Sequence, residues 1–339
     1  MWIYRNISLR NYNTLGLDYL TDYLVKIRTE KEAVDFFSKG NTWIKPVKII
    51  GQGSNILFTE NYKGTILCIG LGGIRKEKIK GNEIIISAAA GVLWDKLVEW
   101  TVSKGLWGLE NLSLIPGQTG AAAVQNIGAY GAEIKDSIIR IKTVSAIDGS
   151  IKYFDRDECR FGYRKSIFKT SEKGKYLITR VYFRLSTVPV MRLEYGSLKN
   201  ELKKSFKPDP SIVRKAVIRI RRNKLPDHEL IGNAGSFFKN PVLKSAEAER
   251  IKKKFPDLPC YTEPTGDIKL AAAWLIEKTG WKGKRLGDAG VYDKQALVLV
   301  NYGNASGQQI FDLSEMIRTS VYEKFGIRLQ REVEVIGVH

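Results

Sequence analysis

Apolar runs of strand length recur along the whole chain, and helical patterns separate them. The runs are VKII from Val47, TILCIG from Thr65, EIIIS from Glu83, IKTVSAI from Ile141, YLITRVYFRL from Tyr176 and ALVLV from Ala296. Short runs rich in Ile, Val and Leu are typical of β-strands that are at least half buried. Such strands pair in sheets whose apolar faces must be covered by further layers of structure. The pattern therefore predicts an α+β or mixed α/β protein.

Two segments carry the helical pattern most clearly. The stretch from Ala88 to Gly105 has apolar residues at three- and four-residue steps, and its last glycine is suited to end a helix. Near the end of the chain, Ser306 and Gln309 match a capping box, and apolar positions at helical spacing continue to Gly326. We expect a helix in each segment.

The size and composition limit the class of protein. A chain of 339 residues exceeds what one hydrophobic core usually supports, so we expect two or three domains. Three cysteines and two histidines, without a C-x-x-C pair, argue against a disulfide framework and against a zinc site. The N-terminus lacks the apolar segment of a signal peptide, and no apolar stretch reaches the roughly 20 residues of a membrane span. We expect a cytoplasmic, metal-free monomer without a membrane partner.

The formal net charge of +19 raises the alternative of a nucleic-acid-binding protein. Basic clusters occur in RIRRNK from Arg219 and in RIKKKF from Arg250, but Ile or Phe interrupts each of them at helical spacing. That spacing is typical of the solvated face of an amphipathic helix, and no zinc-finger, heptad or RNP motif accompanies it. Attraction of anionic small molecules explains the charge as well, so nucleic acid is not the expected partner.

Two glycine-rich segments are candidates for holding an anionic ligand. GQGSN, Gly51 to Asn55, follows the run VKII, and the uncharged segment IPGQTGAAAVQNIGAYG covers Ile115 to Gly131. Glycine lets backbone N–H groups approach a phosphate closely, and neighbouring Ser, Thr, Asn or Gln side chains can donate to its oxygens. Neither segment matches the dinucleotide-binding G-x-G-x-x-G or the P-loop. Two such loops suit a diphosphate, although on spacing alone GQGSN is as readily a tight turn.

Ser236, in NAGSFFKNP, is a candidate for chemistry that does not use histidine. A serine nucleophile needs a general base, and the chain offers only His228, beside a Leu-Pro-Asp turn, and His339, its last residue. The G-x-S-x-G elbow is also absent, since Phe238 occupies the second glycine position. Ser236 is therefore either a proton donor or a turn residue. Glu332, in REVEV, is by pattern equally a residue of a solvent-facing edge strand.

Taken together with FGYRKSIFK from Phe161, these segments resemble the bacterial UDP-N-acetylenolpyruvoylglucosamine reductase family. The resemblance runs from NTLG at Asn13 to REVEVIG near the C-terminus, and LEYGSLKNEL from Leu193 is similar to the tyrosine-bearing loop of one of the family's two subtypes. It implies an α+β fold with an FAD-binding part of two α+β subdomains, like that of the vanillyl-alcohol oxidase group, and a C-terminal α+β substrate-binding domain. The implied domains are residues 1–73, joined by the strand 327–339, then 74–225 and 226–326.

The resemblance also implies roles for individual residues. The catalytic three would be Arg164, Ser236 and Glu332. The residues that would contact FAD are Gly51, Gly53, Ser54, Asn55, Ile56, Ile115, Pro116, Gly117, Gly120, Gln125, Asn126, Ile127 and Gly128. The residues that would contact the substrate are Tyr130, Tyr163, Tyr195, Lys224, Asn240, Tyr261, Lys282 and Gln295.

The reaction implied by the resemblance is the reduction of UDP-N-acetylglucosamine enolpyruvate to UDP-N-acetylmuramate for peptidoglycan. NADPH would reduce a noncovalent FAD, leave, and be replaced in the same cleft by the sugar nucleotide. Hydride would then reach the enolpyruvyl methylene carbon, and Ser236 would protonate the adjacent carbon. Two alternatives stay open: an FAD oxidase of small alcohols or lactones on the same fold, and a nucleic-acid-binding protein without enzymatic activity.

Overall fold

The computed structural model describes residues 1–38, 45–194, 196–202, 209–263 and 265–337. The chain forms two compact units, each assembled from segments that are distant in sequence. Unit 1 comprises Met1–Ile7, Thr21–Gln52 and Lys63–Asn223, and unit 2 comprises Ser8–Leu20, Gly53–Tyr62 and Lys224–His339. The division into three domains stays a prediction.

The described strands follow one another along the entire chain. In chain order they are β1 Trp2–Ser8, β2 Leu20–Ile27, β3 Val47–Ile50, β4 Ile56–Phe58, β5 Tyr62–Ile69, β6 Ile74–Lys80, β7 Glu83–Ala89, β8 Gly128–Ala129, β9 Ala132–Glu133, β10 Ile138–Ser145, β11 Ile151–Asp155, β12 Tyr176–Ser186, β13 Gly232–Ser236, β14 Val242–Leu243, β15 Cys260–Thr262, β16 Ile268–Leu270, β17 Arg285–Leu286, β18 Ala289–Val291, β19 Val298–Asn301 and β20 Glu334–Ile336. Every apolar run singled out in the sequence overlaps one of these strands, which confirms the mixed helix and strand content.

The described helices alternate with the strands. They are α1 Glu30–Ser38, α2 Trp94–Ser103, α3 Thr119–Gln125, α4 Gly196–Leu202, α5 Pro210–Lys224, α6 Ser245–Lys254, α7 Ala272–Lys278 and α8 Gly307–Phe325. The basic clusters RIRRNK and RIKKKF belong to α5 and α6, where Lys252, Lys253 and Lys254 are exposed. Both clusters are helical, and their other basic residues are exposed as predicted. Arg221 is the exception, because it is partly buried and its Nε donates to the Leu114 carbonyl. No helix in the described part of the chain is long and apolar enough to cross a membrane.

Unit 1 is built on two sheets. One has the strand order β1-β2-β5-β3, in which β3 and β5 are parallel. The other has the order β11-β10-β12-β7-β6, with antiparallel neighbours throughout. The central strand β12 buries Val181, Phe183 and Leu185, and Trp94 of α2 packs on Phe183 with ring centroids 6.2 Å apart. These contacts make a continuous apolar core on which the loops of unit 1 are supported.

The net positive charge is concentrated in unit 1. Its residues include 37 Lys and Arg against 19 Asp and Glu, whereas those of unit 2 include 18 against 17. The difference of 37 minus 19 accounts for nearly all of the total of +19. Part of this charge lies on the exposed edge strand β6, where Lys and Arg side chains hinder pairing with strands of other chains.

Unit 2 contains the sheet β13-β19-β18-β17, the small sheet β14-β16-β15 and the parallel pair β4-β20. Helix α8 contributes Ile310, Leu313, Ile317, Val321 and Phe325 to its core. These are the apolar positions that the helical pattern of the sequence marks. The core of unit 2 supports β13 and the C-terminal segment before β20, both of which carry predicted site residues.

Helix α8 confirms its sequence prediction at both ends. Ser306 Oγ accepts a hydrogen bond from the Gln309 N–H at 3.1 Å, and Gln309 Oε1 accepts one from the Ser306 N–H at 2.8 Å. Gly326 follows the helix in the left-handed conformation, with φ 72°. The capping box and the glycine stop therefore define the helix as the sequence indicates.

Helix α2 corrects its sequence prediction at the N-terminal end. The helical pattern extends back to Ala88, but the helix begins at Trp94. Ala88 and Ala89 belong instead to β7, where they pair with Val181 and Arg180 of β12. Short runs of small apolar residues fit a strand and a helix equally, and the pairing with β12 decides for the strand.

We expect Ser306→Ala to lower the free energy of unfolding by about 1 kcal/mol, because the N-cap hydrogen bond to Gln309 is lost. Chemical denaturation of the purified protein measures this change. Ser103→Ala is a matched control, since Ser103 is exposed in the last turn of α2 and should change stability by less than about 0.5 kcal/mol. Equal effects of the two substitutions would contradict the capping role.

Candidate active site

The two glycine-rich segments meet within unit 1. Gln52 Oε1 accepts a hydrogen bond from the Gly117 N–H at 3.0 Å. A Cβ added at Gly51 would lie 3.1 Å from Gln118 Oε1 and 3.3 Å from Ala121 Cβ. The absence of a side chain at Gly51 therefore lets the first segment lie directly on the second.

Gln118 is a residue of this region that sequence analysis did not assign. Its Nε2 donates to the Ile69 carbonyl at 3.0 Å, while its Oε1 is buried without a hydrogen-bond partner among the described residues. Buried acceptors without a partner are uncommon, and each needs an explanation. A ligand group that donates a hydrogen bond would satisfy this oxygen. The signal in the sequence is that Gln52 and Gln118 each directly follow a glycine of the two segments.

Within unit 2, the rest of GQGSN is tied to the C-terminal segment. Gly53 has φ 72°, and a Cβ there would lie 2.0 Å from the Tyr12 carbonyl oxygen, so only glycine fits. Asn55 Nδ2 donates to the Glu332 carbonyl at 3.0 Å, and the Asn55 carbonyl accepts from the Glu334 N–H at 3.0 Å. These bonds hold the backbone that directly follows the Glu332 side chain.

Ser236 is the exposed last residue of β13. Gly235 precedes it with φ 69°, and Phe237 and Phe238 follow it into the core of unit 2, with ring centroids 5.4 Å apart. The two buried rings anchor the strand end from which the serine projects. In the described ranges no histidine is hydrogen-bonded to Ser236, and His228 Nδ1 lies 3.9 Å from Asp227 Oδ1.

Glu332 lies on a segment paired with the residues that follow Ser236. Its backbone N–H donates to the Phe237 carbonyl at 2.8 Å, and the Lys239 N–H donates to the Gln330 carbonyl at 2.9 Å. Glu332 is therefore opposite the neighbour of Ser236, and its side chain is half-buried. The backbone of Glu332 is thus paired with the residue after Ser236, although the two segments are distant in sequence.

Arg164 lies in unit 1, in a tight turn with φ 52°. Its Nη2 donates to the Gly128 carbonyl at 2.7 Å, and its guanidinium carbon lies 5.4 Å from the ring centroid of Tyr163. Tyr130 is at the corner of the adjacent β8-β9 hairpin, where its carbonyl accepts from Asn111 Nδ2 at 2.8 Å. The structure thus gathers Arg164, Tyr163 and Gly128 in one place.

A second group of charged residues in unit 1, Asp95, Arg214 and Arg221, lies at Leu114, the residue before Ile115. Asp95 accepts hydrogen bonds from Arg214 Nη1 and Nη2 at 2.6 and 2.9 Å and from the Leu114 N–H at 2.5 Å. Burial alone would raise the pKa of Asp95, but these bonds outweigh it and lower the pKa. Arg221 Nε donates to the Leu114 carbonyl at 3.2 Å, and burial lowers the pKa of Arg221 although Tyr130 opposes the shift. These charges connect α2 and α5. The sequence pattern placed Arg221 only on the solvated face of a helix and gave no role to Asp95 or Arg214.

The predicted substrate contacts of unit 2 differ in exposure. Tyr261 is 49% exposed, whereas Gln295 is buried. Asn240 Oδ1 accepts from the Ala272 N–H at 3.0 Å, and Lys282 Nζ lies 3.1 Å from Glu277 Oε1. Lys224 is the last residue of α5. Tyr195 lies outside the described residues.

The predicted residues divide between the two units. In unit 1 are Gly51, Ile115, Pro116, Gly117, Gly120, Gln125, Asn126, Ile127, Gly128, Tyr130, Tyr163 and Arg164. In unit 2 are Gly53, Ser54, Asn55, Ile56, Lys224, Ser236, Asn240, Tyr261, Lys282, Gln295 and Glu332.

Two of the three cysteines are buried. Burial raises the pKa of the Cys68 and Cys159 thiols to about 12, so neither forms a thiolate near neutral pH. Across the ranges that the structure describes, no group of three or more His, Cys, Asp or Glu side chains could hold a metal ion.

Two family models match the chain. The one described as the UDP-N-acetylenolpyruvoylglucosamine reductase C-terminal domain covers residues 226–336, and the one described as an FAD binding domain covers residues 21–154. The second match contains all of Ile115 to Gly131, and the first contains Ser236 and Glu332.

Curated relatives are similar over nearly their whole length. The UDP-N-acetylenolpyruvoylglucosamine reductase of Bacteroides fragilis is 43% identical over 329 residues, which is 97% of this chain and 98% of that protein. The enzyme of the same name from Pseudomonas aeruginosa is 43% identical over 327 residues, 96% of each chain. The crystal structure of the Thermus caldophilus enzyme is similar with a TM-score of 0.68 and 25% identity, covering 99% of this chain and 100% of that one.

Proposed function

The chain belongs to the UDP-N-acetylenolpyruvoylglucosamine reductase family, and we propose that it reduces UDP-N-acetylglucosamine enolpyruvate to UDP-N-acetylmuramate, a peptidoglycan precursor. NADPH is the proposed reductant, and noncovalent FAD carries the electrons. The observation that carries the proposal is the near-complete, 43% identical match to curated reductases. The backbone pairing of Glu332 with Phe237, the residue after Ser236, supports it independently.

The residues of unit 1 fit FAD. Gly51 and Gly117 keep two backbone segments close together, and the buried Gln118 Oε1 is an acceptor suited to a donor group of the cofactor. On the family resemblance, Gly53 to Ile56 hold further parts of it. When bound, FAD would supply the hydride-transfer chemistry that links NADPH to the enolpyruvyl methylene carbon.

Arg164 is the proposed partner of the substrate carboxylate. Hydride addition leaves carbanion character on the carbon beside that carboxylate, and the charge spreads into its oxygens. A guanidinium is permanently charged and forks onto two oxygens, so it stabilises the charge where it develops. Its contact with the Gly128 carbonyl supports this role, because that hydrogen bond limits the motion of the side chain before substrate binds.

Ser236 is the proposed proton donor to the carbanionic carbon. A hydroxyl suffices because such a carbon is far more basic than an ordinary leaving group, so no histidine is required. Its exposure at the end of β13 leaves the hydroxyl accessible to a ligand. Glu332 is proposed to hydrogen-bond the enol form or to relay the proton, and its half-buried position opposite Phe237, the residue after Ser236, supports this.

The remaining substrate contacts follow the family resemblance. Tyr130, Tyr163, Tyr195, Lys224, Asn240, Tyr261, Lys282 and Gln295 are proposed to bind the sugar nucleotide. NADPH is proposed to occupy the same cleft before it, since the chain has no separate dinucleotide-binding fingerprint. Both ligands are polyanions, and the excess of Lys and Arg in unit 1 would attract them from solution.

Steady-state oxidation of NADPH tests this function. We expect absorbance loss that depends on UDP-N-acetylglucosamine enolpyruvate, with a product two hydrogens heavier by mass spectrometry. UDP-N-acetylglucosamine, which lacks the enolpyruvyl group, is the matched control and should give only the background rate. Oxidation that proceeds without the enolpyruvyl nucleotide and consumes oxygen would favour the oxidase alternative instead.

A further inference from the structure

Two tight turns of unit 1 are joined by hydrogen bonds. The first is the β8-β9 hairpin, whose corner residues Tyr130 and Gly131 have φ 49° and 80°. The second runs from Gly162 to Lys165, whose backbones exchange two hydrogen bonds of 3.0 Å, and it holds Arg164 at φ 52°. A non-glycine residue in this conformation costs about 1–2 kcal/mol, so surrounding contacts must maintain it.

Asn126 supplies contacts of this kind. Its Nδ2 donates to the Gly162 carbonyl at 2.8 Å and to Glu133 Oε2 at 3.3 Å, and its Oδ1 accepts from the Lys135 N–H at 3.2 Å. The residue is 0% exposed. A side-chain amide has two N–H donors, and both are used within the protein. The amide therefore has no hydrogen left to donate to a flavin.

Gly128 supplies the space that Arg164 occupies. The Gly128 carbonyl accepts from Arg164 Nη2 at 2.7 Å. A Cβ added at Gly128 would lie 3.0 Å from Arg164 Nη1 and 2.9 Å from Glu133 Cγ. The φ of Gly128 is outside the left-handed range, so its backbone conformation allows alanine. Only the close approach of the neighbouring atoms disfavours a side chain at this position. The guanidinium rests on this carbonyl because no side chain intervenes.

We propose that Asn126 and Gly128 are positioning residues for Arg164. Asn126 holds the turn that carries the arginine, and Gly128 holds the guanidinium itself. Their places in the glycine-rich segment imply contact with FAD, but their contacts point to the arginine. The inference rests on the proposed function, in which Arg164 binds the substrate carboxylate. A displacement of about 1 Å of such a group can lower the rate by about 100-fold.

Asn126→Gly and Gly128→Ala test the inference, and both keep an allowed backbone. The first removes the three hydrogen bonds of the Asn126 side chain, and the second places a methyl group where the Arg164 guanidinium lies. We expect both proteins to retain FAD and to be reduced by NADPH within about twofold of the wild-type rate. Reoxidation of the flavin by UDP-N-acetylglucosamine enolpyruvate should fall by about 10- to 100-fold in kcat. Asn301→Ala is the matched control, since it removes a buried amide that bonds the Leu15 carbonyl in unit 2; its loss of stability should leave both half-reactions near wild type.

A double-mutant cycle separates positioning from a general structural effect. In an Arg164→Ala background, Asn126→Gly should slow reoxidation no further, because the group that it positions is gone. An additive loss in that background would overturn the inference, and so would loss of FAD from either single variant. Failure of the proposed function itself is distinct: wild type and Arg164→Ala would then reoxidise at the same rate.

Discussion

Ser236→Ala should leave the reduction of the flavin by NADPH at the wild-type rate while reoxidation by the sugar nucleotide falls by about 10³- to 10⁴-fold. The proposed role of the hydroxyl is confined to the second half-reaction, where it donates the proton that the carbanionic carbon requires. Loss of an essential general acid has an effect of this size. Anaerobic stopped-flow absorbance measures the two half-reactions separately.

The control for this substitution is Ser245→Ala. Ser245 is an exposed serine of unit 2 at the start of α6, where its hydroxyl contacts Glu249 Oε1 at 3.2 Å. Both half-reactions should be unchanged in that variant. If Ser236→Ala slows the two half-reactions equally, the serine acts on cofactor binding or on stability, and its role as the acid is wrong.

Arg164→Gly should be as inactive as Arg164→Ala but more stable than it, by about 1 kcal/mol. Both substitutions remove the guanidinium, which should slow reoxidation by about 10²- to 10³-fold, as expected for loss of a charge-stabilising donor. Only glycine relieves the left-handed backbone at φ 52°. Chemical denaturation compares the two stabilities, and stopped-flow absorbance compares the rates.

Comparing the glycine and alanine variants tests whether the turn keeps a strained backbone in order to place the arginine side chain. A residue in a rare conformation persists when the surrounding structure and the function both require it. Arg164→Lys is a further control, because lysine keeps the charge but loses the forked geometry. Unchanged turnover in Arg164→Lys would show that the arginine has no role in the site. Equal stability of the glycine and alanine variants would show that the turn is not strained.

The family and fold class could be predicted because long motifs and hydrophobic periods are local properties of the sequence. Helix α8 illustrates this, since its cap, its apolar face and its stop are all encoded within Ser306 to Gly326. The start of α2 could not be predicted, because pairing with Val181 and Arg180 of β12 draws Ala88 and Ala89 into a strand. That pairing joins residues about 90 positions apart, which no local pattern reports.

The site was predictable as residue types but not as contacts. The motifs name Ser236 and Glu332, yet their proximity depends on the pairing of Phe237 with Glu332. The alternation in REVEV also did not locate the start of the strand: β20 begins only at Glu334, where it pairs in parallel with β4, and it excludes Glu332. The use of both N–H donors of the Asn126 amide within the protein likewise could not be predicted, because it depends on contacts between two turns.

The most direct test is the visible absorption spectrum of the purified protein without oxygen, recorded after NADPH and again after UDP-N-acetylglucosamine enolpyruvate. We predict flavin bands that bleach with NADPH and return with the sugar nucleotide. Bands that bleach and do not return would contradict the proposed substrate while keeping a flavoprotein. A protein that shows no flavin bands, even after added FAD, would contradict the account as a whole and favour the nucleic-acid alternative.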